Sequence, residues 1–164
     1  INRQHCVENP HKYKGYGQDC WGLTSSYSVK GAAQYFTGES NEKPQPEMYP
    51  EEVSYAGHFP SFDLGVITPT AALSSMPYAP EEVMKVLRHF YFDLGDKLTG
   101  SYGFYDAFSE EYNWWPKKYL AIDQGPIPVM IENYRSGLLW NLFMQDQDVQ
   151  NGLKNLDFQS PHLN

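Results

Sequence analysis

Apolar residues recur at helical spacing in the segment that begins at Pro80. They fall at positions i, i+3, i+4, i+7, i+11 and i+15 and form a single stripe: Val83, Val86, Leu87, Phe90, Leu94 and Leu98. This spacing is typical of an amphipathic helix. Pro80 suits the first turn of such a helix, and the acidic Glu81 and Glu82 suit the positive end of its dipole. The opposite face is polar and is expected to meet solvent: Lys85, Arg88, His89 and Asp96.

A second segment, from residue 126 to about residue 144, is apolar on two faces. One face carries Ile127, Met130, Ile131, Tyr134, Leu138 and Leu142. The roughly opposite face carries Val129, Leu139, Trp140, Phe143 and Met144. A helix that is apolar all round is buried between two layers of structure. The pattern therefore predicts one continuous helix that is covered on both sides.

The remaining sequence predicts short helices and loops. Weaker helical patterns lie at residues 29–36, 70–76 and 147–156. Glycines punctuate residues 13–27, which indicates a loop. Residues 37–65 are rich in Pro, Glu, Gly and Ser and have no period, so we expect a long irregular loop there. Since no strand pattern, internal repeat or heptad is present, the sequence predicts an all-α fold.

A helix with one solvent-facing side and a helix covered on both sides are the two components of a two-layer helical barrel. Twelve such helices with their loops need roughly 200 residues, whereas this chain has 164. We therefore expect residues 1–164 to form about half of one domain. The chain begins at Ile1 without a methionine or a signal peptide, so we expect a processed chain or a fragment.

Charge and hydropathy exclude two classes of function. The net charge is −8, with 20 acidic against 12 basic residues. Nucleic-acid binding requires a basic surface that displaces counterions from phosphate, and the sequence offers none. No apolar run approaches the roughly 18–20 residues that span a bilayer, so we expect no membrane insertion.

Metal and cofactor motifs are absent from the sequence. Cys6 and Cys20 form no zinc or redox spacing, and the sequence leaves open whether they are bridged or free. No acidic cluster has the spacing of a calcium loop, and Gly15 and Gly17 lack the strand and helix that would frame a phosphate loop. The sequence therefore predicts no metal and no cofactor.

Aromatic residues are abundant, with 13 Tyr, 9 Phe and 4 Trp, and many lie in loop sequence. Exposed flat rings stack on the C–H faces of sugars, but loop aromatics equally often pack a loop onto the core. Four strings add to this composition. They occupy residues 15–28 (GYGQDCWGLTSSYS), 67–82 (ITPTAALSSMPYAPEE), 102–109 (YGFYDAFS) and 119–144 (YLAIDQGPIPVMIENYRSGLLWNLFM).

These strings, in this order, resemble the C-terminal part of the glycoamylase-like family, which includes the endo-β-1,2-glucanases of glycoside hydrolase family 144. The resemblance implies the C-terminal half of an (α/α)6 barrel with a sugar pocket at one end. It implies a periplasmic, secreted or cell-surface bacterial protein that hydrolyses a glucan with inversion. Half a barrel leaves the inner face of the helix over residues 126–144 uncovered, and soluble monomers avoid such an apolar patch. We therefore expect the partner to be the N-terminal half of the barrel or a second copy of the chain.

Alternatives of other classes remain open. The protein can be a non-catalytic glucan-binding protein, a glucoamylase or β-glucosidase type of enzyme, or a lyase on the same barrel. Inverting hydrolysis needs two carboxyl groups ~6.5–9.5 Å apart. The catalytic candidates in this chain are Asp123, Glu132 and Asp106, and the resemblance places the primary acid and base upstream of it.

Each catalytic candidate also has a structural interpretation. Asp123 either caps the helix that begins at residue 126 or lies at the pocket mouth. Glu132 forms either a structural pair with Arg135 or part of the site. Asp106 lies in an aromatic string that suits a sugar platform. The predicted substrate-binding residues, with Trp21 as the first candidate for stacking, are Asp19, Trp21, Tyr102, Phe104, Tyr105 and Arg135.

Overall fold

The computed structural model describes residues 1–48, 52–160 and 163, and most of its regular structure is helical. This confirms the helical character that the sequence predicts. A 3-10 turn spans Pro46–Met48, and a π-helical turn spans His89–Asp93. The α-helices are α1 (Asn2–Glu8), α2 (Ala32–Thr37), α3 (Pro69–Leu73), α4 (Pro80–Arg88), α5 (Gly95–Leu98), α6 (Ala121–Gln124), α7 (Pro126–Ser136), α8 (Leu138–Met144) and α9 (Gln147–Asn155).

Two small antiparallel sheets accompany the helices, so the prediction of a chain without strands was wrong. β1 (Ser25–Ser28) pairs with β2 (Ser54–Gly57), with Ser25 opposite Gly57. β3 (Thr99–Gly100) and β4 (Gly103–Phe104) form a short hairpin. Strands of two to four residues are too short to show a period of two in the sequence. β2 lies inside the segment 37–65, where its partner strand, and not local sequence, holds it extended.

The stripe of residues that begins in α4 packs into the main core, as predicted. Val83, Val86 and Phe90 have no exposed surface, and Leu98 is 1% exposed. The helix does not run straight, because α4 ends at Arg88, passes through the π-helical turn and resumes as α5. Around it pack buried residues from α1, α3 and the loops, among them Cys6, Cys20, Trp21, Leu23, Ile67, Leu73 and Phe108.

The predicted continuous helix over residues 126–144 is two helices. Gly137 adopts a left-handed conformation, with φ 68°, and ends α7 before α8 begins. The buried Asn133 stabilises this break, because its Oδ1 accepts hydrogen bonds from the backbone N–H groups of Leu139 at 3.0 Å and Trp140 at 3.2 Å. The apolar pattern crosses the glycine without interruption, which is why periodicity alone missed the break.

The outer sides of α7 and α8 are exposed in this chain, which is the uncovered apolar face that half a barrel is expected to leave. We call the exposed residues the α7–α8 apolar surface: Val129, Tyr134, Leu138, Trp140, Leu142 and Phe143. Phe143 is 60% exposed, and α8 has no buried residue. Across the described ranges, no helix is both long and apolar enough to cross a membrane.

Candidate active site

Backbone hydrogen bonds on both sides fix the position of Asp106, which follows the β3–β4 hairpin. The N–H of Tyr105 donates to the carbonyl of Leu98 at 2.8 Å, and the N–H of Asp106 donates to the carbonyl of Lys118 at 2.9 Å. Two residues further on, Phe108 and Ile67 exchange backbone hydrogen bonds. The Asp106 side chain is thereby held in the interior, where it is 1% exposed.

The Asp106 carboxyl group has one conventional hydrogen bond and one acidic neighbour. Its Oδ2 accepts a hydrogen bond from the backbone N–H of Tyr27, at the β1 strand, at 2.8 Å. Asp106 Oδ1 and Asp123 Oδ2 are both buried without a conventional hydrogen-bond partner. Burial first, and then the neighbouring Asp123 carboxyl group, raise the pKa of Asp106 to about 7. Below that pH Asp106 holds a proton that it can donate to Asp123.

Asp123 lies in the short helix α6, which runs directly into α7. Its neighbour Gln124 donates a side-chain hydrogen bond to the carbonyl of Phe104 at 2.9 Å, which ties α6 to the β3–β4 hairpin. Asp123 is 8% exposed, so it is the more accessible member of the pair. The capping interpretation of Asp123 was wrong, because the N-cap of α7 is Gly125 and no side chain caps it.

The closeness of the two carboxyl groups limits what they can do together. An inverting pair is separated by ~6.5–9.5 Å, so that a water molecule fits beside the sugar. Groups that share a proton are far closer than that. Asp106 and Asp123 therefore form one carboxyl unit on one side of a substrate, and an opposing carboxyl group must come from elsewhere.

Glu132 belongs to a local arrangement on α7. Its carboxylate accepts hydrogen bonds from Arg135 Nη1 at 3.0 Å and from Ser136 Oγ at 2.7 Å. The side chains of Glu132 and Arg135 are 38% and 72% exposed. Of the two interpretations given for Glu132, the structural pair matches this geometry. The structure brings Asp106 and Asp123 together, whereas Glu132 is held by residues of its own helix.

Three tyrosine rings lie next to one another beside the hairpin. We call them the tyrosine cluster: Tyr102, Tyr105 and Tyr119. The Tyr102 and Tyr119 ring centroids are 5.5 Å apart, and those of Tyr105 and Tyr119 are 5.1 Å apart. Tyr102 is 79% exposed at the hairpin turn. Tyr119 was not predicted from the sequence, although it is the first residue of the matched string 119–144.

The other predicted sugar-binding residues do not form an exposed surface beside the carboxyl pair. Trp21 is 4% exposed and packs in the main core, which leaves it without the free ring face that stacking on a sugar needs. The Phe104 ring packs against Phe90, with ring centroids 6.1 Å apart. Its backbone carbonyl accepts the hydrogen bond from Gln124. Asp19 is exposed and lines a cavity of about 570 Å³ together with His89.

A second buried acid was not anticipated. Asp63 is 1% exposed and accepts hydrogen bonds from Tyr16 Oη at 2.7 Å and from the backbone N–H of Gly65 at 3.1 Å, and its Oδ2 lies 2.8 Å from His5 Nε2. A buried carboxylate with three partners is typical of a structural role. It joins α1 to the loops beneath it, and nothing in its sequence context distinguishes it from other loop acids.

The chain matches known proteins over nearly its whole length. Residues 1–147 match the Glycoamylase family, described as "Putative glucoamylase". A curated relative from Parabacteroides distasonis, an exo β-1,2-glucooligosaccharide sophorohydrolase (non-reducing end), is 41% identical over 156 residues. That alignment covers 95% of this chain and 19% of the relative.

Solved structures share both the sequence and the fold. An endo-β-1,2-glucanase from Chitinophaga pinensis, in complex with sophorotriose and glucose, is 56% identical with a TM-score of 0.82. A protein described as a putative glucoamylase, from Bacteroides uniformis, is 53% identical with a TM-score of 0.84. They cover 99% and 100% of this chain, whereas the chain covers 34% of each of them. It therefore spans about a third of their length.

Proposed function

This chain belongs to the glycoamylase family, and we propose that it supplies one side of the active site of a glycoside hydrolase acting on β-1,2-glucan. The β-1,2-active relatives from Chitinophaga pinensis and Parabacteroides distasonis are 56% and 41% identical to it. The observation that carries the proposal is the proton-sharing pair of Asp106 and Asp123, which lies next to an exposed aromatic cluster. A glycoside hydrolase needs carboxyl groups with different protonation states. This pair supplies one of them, on one side of the substrate.

Within the pair, Asp123 acts on the substrate side and Asp106 positions it. Asp106 is anchored by the Tyr27 N–H and has almost no exposed surface, so it holds its neighbour in one orientation. Asp123 offers its remaining exposed surface to a sugar hydroxyl or to the water that attacks the anomeric carbon. The opposing carboxyl group comes from the rest of the domain. Hydrolysis then proceeds with inversion across the gap between them.

The tyrosine cluster forms a platform for the sugar chain. A pyranose has a face of C–H groups that is desolvated favourably by an aromatic ring. Tyr102 is the most exposed member of the cluster; Tyr119 lies edge-on to it, and Tyr105 lies tilted against Tyr119. Because the cluster flanks Asp106 in the chain and is tied to α6 through Gln124, a sugar bound there lies near the carboxyl pair.

The rest of an (α/α)6 barrel covers the α7–α8 apolar surface. Soluble proteins rarely leave a contiguous apolar surface of this kind in water. The solved relatives are about three times as long as this chain, so they contain the additional structure that such cover requires. The occupant that we propose is the upstream half of the same barrel. If two copies of the chain instead associate through α7 and α8, dimerisation replaces the upstream half as the cover of this surface.

The site of action that fits this function is the periplasm, the cell surface or the medium. A polymeric glucan must be cut where it is encountered, and family members of this kind are expected outside the cytoplasm. Fractionation of the producing cells, with the protein detected by antibody, tests the location. Detection solely in the cytoplasm would contradict it.

The function is tested with the full-length protein and linear β-1,2-glucan. We expect new reducing ends to appear, with no release from β-1,3- or β-1,4-glucan under the same conditions. Proton NMR of the first products should show the α-anomer, which inversion of a β-linkage produces. The product sizes separate an endo-acting enzyme, which gives mixed oligosaccharides, from one that releases only disaccharide. Binding measured by calorimetry without reducing ends would replace hydrolysis with non-catalytic glucan binding.

A further inference from the structure

Three potential metal ligands from separate parts of the chain converge beside the main core. Cys20 comes from the N-terminal loop, His89 from the π-helical turn and Glu110 from the loop after Phe108. One sulfur, one ring nitrogen and one carboxylate oxygen from these residues all lie within 4.8 Å of one another. Cys20 is 3% exposed, and the other two are half-buried. The Asp106–Asp123 pair has no part in this cluster.

The orientation of His89 suits a metal ligand. Its Nδ1 lies 2.8 Å from Asp93 Oδ2, so Nδ1–H donates to that carboxylate and Nε2 carries the free lone pair. Histidine ligands characteristically donate their second ring N–H to a carboxylate, which fixes the tautomer and increases the basicity of the binding nitrogen. His89 and Asp93 are the first and last residues of the π-helical turn. Such turns occur frequently at functional sites.

Gly15 makes room for the carboxylate of Glu110. A Cβ atom at position 15 would overlap the Glu110 carboxyl group, and the Gly15 backbone has φ 87°, which favours glycine. The glycine-rich N-terminal loop therefore lets Glu110 approach the segment that carries Cys20. Two independent backbone features, this glycine and the π-helical turn, place ligand groups around one point.

The sulfur is available for coordination. Cys6 and Cys20 are both free thiols in this structure. Coordination replaces the thiol proton, which is released to solvent as the metal–sulfur bond forms.

We propose that Cys20, His89 and Glu110 bind one Zn²⁺ ion, with water in the fourth position. Thiolate, imidazole and carboxylate are the ligands of zinc, which binds them tetrahedrally with bonds of ~2.0–2.3 Å. Such a centre places its ligand atoms roughly 3.5 Å apart, so small side-chain rotations complete it. The ion would join the N-terminal loop, the π-helical turn and the loop at Glu110.

An entry path reaches the site from solvent. The cavity of about 570 Å³ that includes Asp19 is also lined by His89 and Asp93. Lys85 and Arg88 line it as well, so both acidic and basic side chains border it. Of the three proposed ligands, His89 is the one that lines this cavity, so a hydrated cation reaches the site on the His89 side.

The test titrates Co²⁺ and then Zn²⁺ into the full-length protein after chelation and reduction of its thiols. Co²⁺ bound to a thiolate gives a near-ultraviolet charge-transfer band, which reports cysteine ligation without any reference to glucan hydrolysis. We expect one equivalent of Co²⁺ to produce the band and one equivalent of Zn²⁺ to remove it. Cys20→Ser should abolish the band, whereas the matched control Cys6→Ser, which changes the other buried thiol, should keep it.

Two further variants keep the proposal testable if Cys20→Ser does not fold. The His89 side chain is 25% exposed, so His89→Gln is tolerated sterically, and it should weaken Co²⁺ binding at least ~10-fold. Asp93→Asn should weaken it by a similar factor because it removes the orienting carboxylate. The proposal is overturned if the wild-type protein shows no band, or if His89→Gln binds Co²⁺ as the wild type does. Neither result bears on hydrolysis by the carboxyl pair.

Discussion

Asp106 and Asp123 come from different elements of the chain, and each buries one carboxyl oxygen, Oδ1 of Asp106 and Oδ2 of Asp123, without a conventional hydrogen-bond partner. Asp106 is anchored by a backbone N–H and is 1% exposed, whereas Asp123 is 8% exposed in helix α6. Two acids can stay this close in a protein interior because one of them retains its proton. Asp123 is thereby a positioned carboxyl group, and Asp106 is the buried, protonated carboxyl group next to it.

The raised pKa of Asp106 makes the stability of the protein depend on pH. Folded Asp106 titrates at about pH 7, and an aspartate in an unfolded chain titrates near ~3.9. Its contribution to the free energy of unfolding is therefore complete below about pH 4 and is lost as the pH rises through about 7. The side chain of Asp106→Asn cannot ionise. As the pH rises between these limits, the free energy of unfolding of this variant should therefore increase by on the order of 1–3 kcal/mol relative to that of the wild type.

Urea unfolding of both proteins at about pH 5 and about pH 8 measures this difference. The asparagine can still accept from Tyr27 and donate to Asp123, so the fold should be retained. Asp148→Asn, on the exposed first turn of α9, is the control and should show no such trend. An Asp106→Asn difference that stays constant with pH would contradict the proton-sharing pair.

Glu132→Gln should leave activity within about twofold and change stability by less than ~1 kcal/mol, because exposed ion pairs contribute little. Its partners, Arg135 and Ser136, lie on the same helix, and the amide oxygen of glutamine can still accept from Ser136. Initial rates of reducing-end release and urea unfolding check both values. A loss of activity of ~100-fold or more would place Glu132 in the catalytic machinery after all.

Tyr102→Ala should weaken glucan binding while the fold persists. An aromatic contact contributes ~0.5–1.5 kcal/mol beyond the area that it buries, so we expect the KM to rise about 2- to 10-fold with a smaller change in kcat. Tyr91→Ala is the matched control, because Tyr91 is also exposed, at 58%, but lies in the π-helical turn. If Tyr102→Ala and Tyr91→Ala change the KM equally, the tyrosine cluster is not part of the sugar-binding site.

Gly100→Ala should displace two rings of the tyrosine cluster, Tyr119 and Tyr105. A Cβ at this position would overlap the hydroxyl groups of Tyr119 and Tyr105. We expect a loss of ~1–3 kcal/mol in the free energy of unfolding and a raised KM for glucan. Gly152→Ala, in α9 with open space around it, should instead stabilise by ~0.5–1 kcal/mol. Thermal unfolding of both variants measures these opposite changes in stability. A Gly100→Ala variant more stable than the wild type would contradict the close contact between Gly100 and the two tyrosine hydroxyl groups.

Local patterns predicted the helices well where a single face meets the core. The stripe from Val83 to Leu98 packs inward as its spacing requires, and Pro80 begins α4 as predicted. The pattern failed at Gly137, because an apolar sequence continues across a left-handed residue that ends one helix and starts another. It also failed for β1 and β2, which depend on pairing between distant segments.

The candidate site was partly predictable. The chemistry of glycoside hydrolysis drew attention to Asp106 and Asp123, but only the tertiary structure places them in contact. Trp21 was the first stacking candidate, yet its loop folds inward and buries it. The cluster of Cys20, His89 and Glu110 has no sequence spacing to reveal it, since its members come from three separate segments.

A comparison of three enzymes tests whether Asp123 acts on the glucan. Initial rates of reducing-end release from linear β-1,2-glucan are measured for the full-length wild type, Asp123→Asn and the control Asp148→Asn. Removal of a positioned carboxyl group should lower kcat by ~10²–10⁴-fold in Asp123→Asn, while Asp148→Asn retains full activity. An Asp123→Asn enzyme that is folded and hydrolyses the glucan within about threefold of the wild-type rate would contradict the account.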